Sequence, residues 1–135
     1  MNTVGIMQGR LSPPKGKLIQ WYPIDTWESE FYLAKEIGLV CIEWVFQKST
    51  ASKNLISYDS GIKKILEVSN KSGVKVLSIT ADYYMEENLI SKNGKINIET
   101  LNHLEWLIIQ AKKLGATYVM APFVDASSLK SSNQQ

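Results

Sequence analysis

The stretch Trp27-Glu28-Ser29-Glu30-Phe31-Tyr32-Leu33-Ala34-Lys35-Glu36-Ile37-Gly38-Leu39-Val40-Cys41-Ile42-Glu43 holds an amphipathic helix, a glycine turn and an apolar run that ends on an acid. Trp27, Phe31, Ala34 and Ile37 recur three or four residues apart. That spacing predicts a helix with one apolar face, and Glu28, Glu30, Lys35 and Glu36 mostly toward water. Asp25 followed by Glu28 reads as a capping-box-like start. Gly38 takes the left-handed conformation that ends the helix, and Leu39-Val40-Cys41-Ile42 follows as a buried strand with Glu43 where it finishes.

The same order of features recurs downstream. Ile62, Ile65, Leu66 and Val68 make a helical face closed by Gly73, before the strand Val74-Lys75-Val76-Leu77-Ser78-Ile79-Thr80, with Asp82 just beyond it. Ile98, Leu101, Leu104, Ile108 and Ala111 form a third stripe, Gly115 stops it, and Thr117-Tyr118-Val119-Met120 is the next strand. Upstream, Thr3-Val4-Gly5-Ile6-Met7 is an opening strand that ends in Gln8 and Arg10. About four strands and three helices result. The glycines are spaced 35 residues (38 to 73) and 42 residues (73 to 115), which fits one strand-helix unit plus a functional loop.

Apolar strands separated by helices long enough for a crossover pair in parallel, with the helices packed outside. The fold class is therefore α/β, a partial (β/α)8 TIM barrel, with residues 1–125 as its N-terminal half and 126–135 as a polar tail, disordered or a stub of the next helix. A doubly wound sheet is the alternative, but no GxGxxG follows any strand. The connections after strands one and three are long, and those after the helices short, which places the working surface at the strand C-termini. Residues 11–24, with Pro13-Pro14 and Trp21-Tyr22-Pro23, read as one lid and residues 83–97 as another.

Composition narrows the function classes. The 135 residues are 44% hydrophobic, enough for a core, and 15 basic against 13 acidic residues leave a net charge of +2 without a basic stripe, which argues against nucleic acid as partner. The lone cysteine, Cys41, lies in an apolar run and reads as a buried small hydrophobe, so no disulfide framework or CxxC metal site can form. No run of about 18 uncharged apolar residues and no leader pattern is present, and the expectation is a soluble cytoplasmic protein without membrane contact.

Val4-Gly5-Ile6-Met7-Gln8-Gly9-Arg10-Leu11, Trp27-Glu28-Ser29-Glu30-Phe31, Gly38 leading to Ile42-Glu43-Trp44, Ala81-Asp82-Tyr83-Tyr84-Met85-Glu86 and Leu114-Gly115-Ala116 together resemble the first half of the sugar phosphate isomerase/epimerase proteins, a branch of the xylose isomerase-like TIM barrels. The resemblance implies a metal-assisted shift of a proton between neighbouring carbons of a sugar or sugar phosphate, through an enediolate stabilised by Mn2+, Mg2+ or Zn2+. It also implies that the metal ligands come mainly from strands five to eight, so none is assigned in this chain. An apurinic-site nuclease shares the superfamily but needs a histidine-rich metal cluster, which one histidine cannot supply.

Within that frame Glu43, an acid ending an apolar strand at the barrel mouth, is the candidate catalytic residue, by orienting hydroxyls or assisting proton transfer; the structural alternative is an ion pair with Arg10 or a lysine. Gln8 and Arg10 are substrate-binding candidates, as hydroxyl partner and anion grip, or else loop anchors. Trp44 can lay a flat face on a sugar ring or belong to the core. Asp82 is either a substrate contact or a loop cap. His103, four residues after Glu99, reads as a solvated helix residue, and Lys112-Lys113 as a complement to the helix terminus.

Four strands leave inward side chains wet and two edges unpaired. Each large apolar side chain left wet forgoes about 1.5–3 kcal/mol, and six together rival the roughly 5–15 kcal/mol that holds a domain folded. The expectation is a homo-oligomer of two halves, or a partner that carries strands five to eight. The runner-up function is a non-catalytic half-barrel association module or an inactive truncated fragment.

Overall fold

A computed structural model describes residues 3–129. Strand β1 (Gly5–Met7), helix α1 (Trp27–Glu36), β2 (Cys41–Val45), α2 (Asp59–Ser72), β3 (Lys75–Thr80), the one-turn helix α3 (Tyr83–Glu86), α4 (Ile98–Leu114) and β4 (Tyr118–Met120) follow in that order. Two 3-10 turns, Lys48–Lys53 and Leu55–Ser57, fill the connection from β2 to α2, and a third covers Asp125–Ser127.

All strand pairs are parallel and the sheet order is β1-β2-β3-β4. The order never reverses, so there is no switch point of the kind that puts helices on both faces of a doubly wound sheet. Accordingly Phe31 and Ala34 of α1, Ile62, Ile65 and Val68 of α2, and Leu107, Ala111 and Leu114 of α4 share one core with Ile42, Trp44, Val76 and Ile79 of the sheet. The chain is thus an α/β unit with a four-stranded all-parallel sheet covered by helices on one face.

Side chains alternate across a strand. Ile42 and Trp44 of β2 point to the helices and are buried, while Cys41 and Glu43 lie on the open face and are half-buried. The expected fully buried strand over residues 39–42 is corrected to a one-sided strand that starts at Cys41, with Val40 exposed before it. Gly38, Gly73 and Gly115 all have φ near +80°, the conformation that ends each helix.

Two helical expectations shift. Helix α4 buries Leu107, Ala111 and Leu114, whereas Ile98 and Ile108 of the expected stripe are exposed. Ala111 of the expected stripe is buried and Leu104 packs against the core, so that face is met in part, and Leu107 and Leu114 of the adjacent row complete it, because periodicity alone does not decide how a broad apolar face is divided between core and solvent. At the start of α1 the N-cap is Thr26, without a side-chain cap bond, so the Asp25–Glu28 capping box is not formed. Glu30 is buried rather than solvated, for the reason given below.

Of the polar tail, residues 126–129 are described: the turn Asp125–Ser127 buries Ser127, whose Oγ donates to the carbonyls of Val124 and Pro122 at 2.8 and 3.0 Å. Residues 130–135 lie outside the described residues.

Candidate functional site

Parallel pairing brings the C-terminal ends of β1, β2 and β3 to one rim, but Glu43, expected where its strand finishes, is the third of the five residues of β2, opposite Met7 of β1 and Ser78 of β3, because the strand starts later than expected and runs on through Trp44 and Val45. A β-bulge falls between Ile42 and Glu43 in the β2–β3 register. Glu43 stands on the open face and lines a hollow of about 240 Å³ with Gly5, Ile6, Met7, Cys41 and Ser78. No salt bridge reaches it among the described residues, so the expected alternative of a pairing with Arg10 or a lysine is not realised.

Asp82, two residues past β3, is the second carboxylate of this rim. Burial pushes its pKa up, the hydrogen bond from Gln20 offsets part of that, and the charge of Glu43 adds a further upward push. Its Oδ2 accepts from Gln20 Nε2 at 2.9 Å, a contact across 62 residues of sequence. At the N-cap of α3 its side chain makes no cap bond, so its carboxylate is bound to the first long loop instead.

That loop is a fastened strap rather than a free lid. Trp21 and Tyr22 are buried, the Tyr22 amide donates to Gln47 Oε1 at 3.1 Å, and the Tyr22 hydroxyl accepts from the Leu55 amide at 3.3 Å. Burial raises the Tyr22 phenol to about 12. A cavity of about 300 Å³ lies against the strap, between Pro13, Pro14, Trp21, Ile24 and Thr26, but none of the candidate carboxylates lines it.

The turn after β1 is organised by Glu30. Its Oε1 accepts from the amides of Gly9 and Leu11 at 2.9 and 3.1 Å and from Ser12 Oγ at 3.0 Å. Gly9 sits at φ +88° with Trp21 so close that a Cβ would lie 2.9 Å from its ring. Burial drives the Glu30 carboxyl pKa upward, and the amide and hydroxyl donors pull it partly back. Arg10, carried at the tip of this turn, is exposed.

Two candidates are corrected. Trp44 offers no face to a ligand: it is fully buried against the rings of Tyr22, Trp27 and Phe31, and its Nε1 donates to Asn54 Oδ1 at 2.9 Å. Asn54, also buried, returns a bond from Nδ2 to the Val45 carbonyl at 2.9 Å. Gln8 is likewise buried. Its Oε1 accepts from the Val45 amide at 2.9 Å and extends the β1–β2 ladder by one bond, so it acts as a splint and not as an open hydroxyl partner. Its Nε2 is buried without a partner, as is Thr80 Oγ1.

His103 is not a solvated helix residue. Its ring stacks on Tyr83 at 4.3 Å between centroids, lies 5.0 Å from Trp106, and its Nδ1 meets the Tyr84 hydroxyl at 2.9 Å. Burial lowers its pKa, against an upward pull from Glu87. Glu87 itself pairs with Lys48. Cys41 is half-buried on the open face rather than in the core; burial pushes its thiol up, with a further push from Glu43.

Among the described residues no cluster of three or more His, Cys, Asp or Glu side chains is placed to hold a metal, so Glu43 and Asp82 fall short of a donor set. No described helix is long and apolar enough to cross a membrane. Gln20 and Asn54 had no signal in the sequence and Glu30 was placed toward water, because each works through a partner far along the chain or through the backbone. No protein-family model and no curated protein matches the chain.

Proposed function

We propose that the chain is the N-terminal half of a (β/α)8 barrel of the sugar phosphate isomerase/epimerase kind, which binds a sugar or sugar phosphate in the cytoplasm and acts on it once four further strands are supplied. What supports this reading most is a pair of carboxylates, Glu43 on the open face in the middle of β2 and Asp82 just past the end of β3, near enough for the charge of Glu43 to act on Asp82. In this reading Glu43 takes the proton from the hydroxyl-bearing carbon beside the sugar carbonyl and the electron pair moves onto the carbonyl oxygen; a proton then passes from the hydroxyl of the first carbon to that oxygen, the first carbon becomes the new carbonyl, and the Glu43 carboxyl returns its proton to the former carbonyl carbon. Asp82, held by Gln20 through Oδ2, accepts a hydrogen bond from a sugar hydroxyl on its other oxygen. Arg10 supplies the cation for a phosphate. A bound Mn2+, Mg2+ or Zn2+ stabilises enediolate charge in such reactions; its ligands belong to the other strands, and no step here is routed through it.

The test is an amide-shift titration of the full chain with ketoses and sugar phosphates, with and without Mn2+. Shifts confined to residues 8–10, 43–45 and 80–83, and weakened in Glu43→Gln, are expected. No shift with any sugar overturns the reading. The second reading, a non-catalytic association module, draws on the uncovered sheet face and predicts self-assembly without sugar or metal binding.

A further inference from the structure

Gly9, Gln47 and Asp82 each lie two residues past the end of a strand, β1, β2 and β3 in turn. Three consecutive residues of the strap meet them one by one. The Tyr22 amide donates to Gln47 Oε1 at 3.1 Å, the Trp21 indole lies so close to Gly9 that a Cβ there would fall 2.9 Å from its ring, and Gln20 Nε2 donates to Asp82 Oδ2 at 2.9 Å. Residues 13–19 before them are exposed, and burial sets in at Gln20. The strap thus lies across three strand ends, with Trp21 and Tyr22 as buried anchors and Gln20 as the member that reaches a candidate site residue.

We infer that Gln20 is a positioning residue for Asp82: through it the strap holds one carboxylate oxygen and leaves the other for a sugar hydroxyl, so that the seating of the strap and the engagement of Asp82 are coupled. This rests on the functional reading above and adds a regulating contact to its site. The backbone around Asp82 is fixed without the strap, since the Ala81 amide donates to the Met120 carbonyl at 2.8 Å and the Tyr83 amide to the Phe46 carbonyl at 3.0 Å. Its side chain is not. It caps nothing in α3, no salt bridge reaches it, and Gln20 is its one hydrogen-bond partner among the described residues. Gln20 is itself kept in place by the two buried residues that follow it, so the ordering of the carboxylate is met on folding rather than on binding. The bond also favours the ionised carboxylate, against burial and against the negative charge of Glu43, the charged group that acts on it. Such coupling is reciprocal: a ligand gripped better by a held Asp82 firms the strap by the same factor.

Carboxyl-carbon and side-chain amide resonances of the full chain test the assignment. In wild type the Gln20 side-chain amide protons should shift with pH at the same midpoint as the Asp82 carboxyl. Gln20→Met, which keeps the length of the side chain and removes the donor, should move that midpoint up, and Glu43→Gln should move it down. With D-fructose or D-fructose 6-phosphate as the probe, the shifts at residues 80–83 should need about tenfold more sugar in Gln20→Met than in wild type. Gln20→Glu supplies a rescue: its carboxylate repels Asp82 at neutral pH, while a proton shared between the two restores the bond in acid, so its affinity should recover on acidification and that of Gln20→Met should not. If the variants fail to fold, the wild-type co-titration decides. An Asp82 midpoint unmoved in Gln20→Met, Gln20 amide protons blind to the Asp82 titration, or equal sugar affinity in wild type and Gln20→Met would each overturn the inference. Equal affinity leaves the functional reading standing, whereas a co-titration and a raised midpoint in a chain that binds neither sugar keep the hold of Gln20 on Asp82 and remove that reading.

Discussion

Replacing Glu30 by Ala would leave the amides of Gly9 and Leu11 and the hydroxyl of Ser12 without the acceptor that gathers them. An unpaired buried donor costs about 1–3 kcal/mol, so Glu30→Ala should lower unfolding stability by about 3 kcal/mol in a denaturant titration. Glu30→Gln keeps an oxygen at the same place and should cost far less. The pH dependence has a definite sign. Because burial raises the carboxyl's pKa in the folded state, the folded chain holds its proton longer than the unfolded one. Glu30's contribution is then fully present below the unfolded value near about 4.3 and is lost as pH rises through the folded value. Wild type should therefore lose stability relative to Glu30→Gln on raising the pH through that window, and parallel stability curves would refute it. At this scale the sequence was legible for Asp82, which lies just past its strand, and for Glu43 as an acid on that sheet, though Glu43 stands inside β2 rather than at its end. It put Glu30 toward water and left Trp44 between a sugar face and the core, because a residue's partner across the fold, here Gly9 or Asn54, has no local signature.

Two glycines show how element ends and element contacts differ. Gly115 closes α4 at φ +79°, and a Cβ there would meet nothing within 4 Å, so Gly115→Ala should cost only the left-handed backbone penalty, about 1 kcal/mol. Gly61 lies inside α2, where a Cβ would fall 2.1 Å from the Leu55 carbonyl oxygen of the preceding 3-10 turn. That atom is backbone and cannot swing aside, so Gly61→Ala should cost about 3 kcal/mol, the upper range for overpacking. Equal losses in thermal melts of the two variants would contradict this account. The helix-ending glycines were readable from sequence because the signal is local: an apolar period of 3.6 that stops at a residue free to adopt positive φ. Gly61 was not, since its constraint comes from a turn that the sequence alone does not place. The same distinction explains α4, whose existence and end were legible while its buried face, set by packing, kept Leu104 and Ala111 of the expected stripe and exchanged Ile98 and Ile108 for Leu107 and Leu114.

Taken as a whole, the sheet order 1-2-3-4 with helices on one side decides what the molecule can be. A sheet wound in one direction with its helices on one side leaves the other face open, and the four strands and their parallel order were legible in the sequence because each strand follows a helix closed by a glycine. Whether another copy of the chain covers that face is read from the concentration dependence of stability. Tyr118, Met120, Phe123 and Val124 are exposed in the single chain, and covering a large apolar side chain is worth about 1.5–3 kcal/mol. Four such residues reach the scale of the roughly 5–15 kcal/mol that holds a domain folded. If two chains fold and close together, unfolding releases two molecules from one, and mass action makes the folded state more favourable as the chain is concentrated. Each tenfold increase should add about 1.4 kcal/mol per dimer, read as a rise in the denaturant midpoint with an unchanged slope. In Met120→Lys the midpoint should become independent of concentration. A wild-type midpoint that stays fixed over a hundredfold range would mean that the four strands hold together with their open face wet, and that the core between the sheet and the three long helices is sufficient by itself.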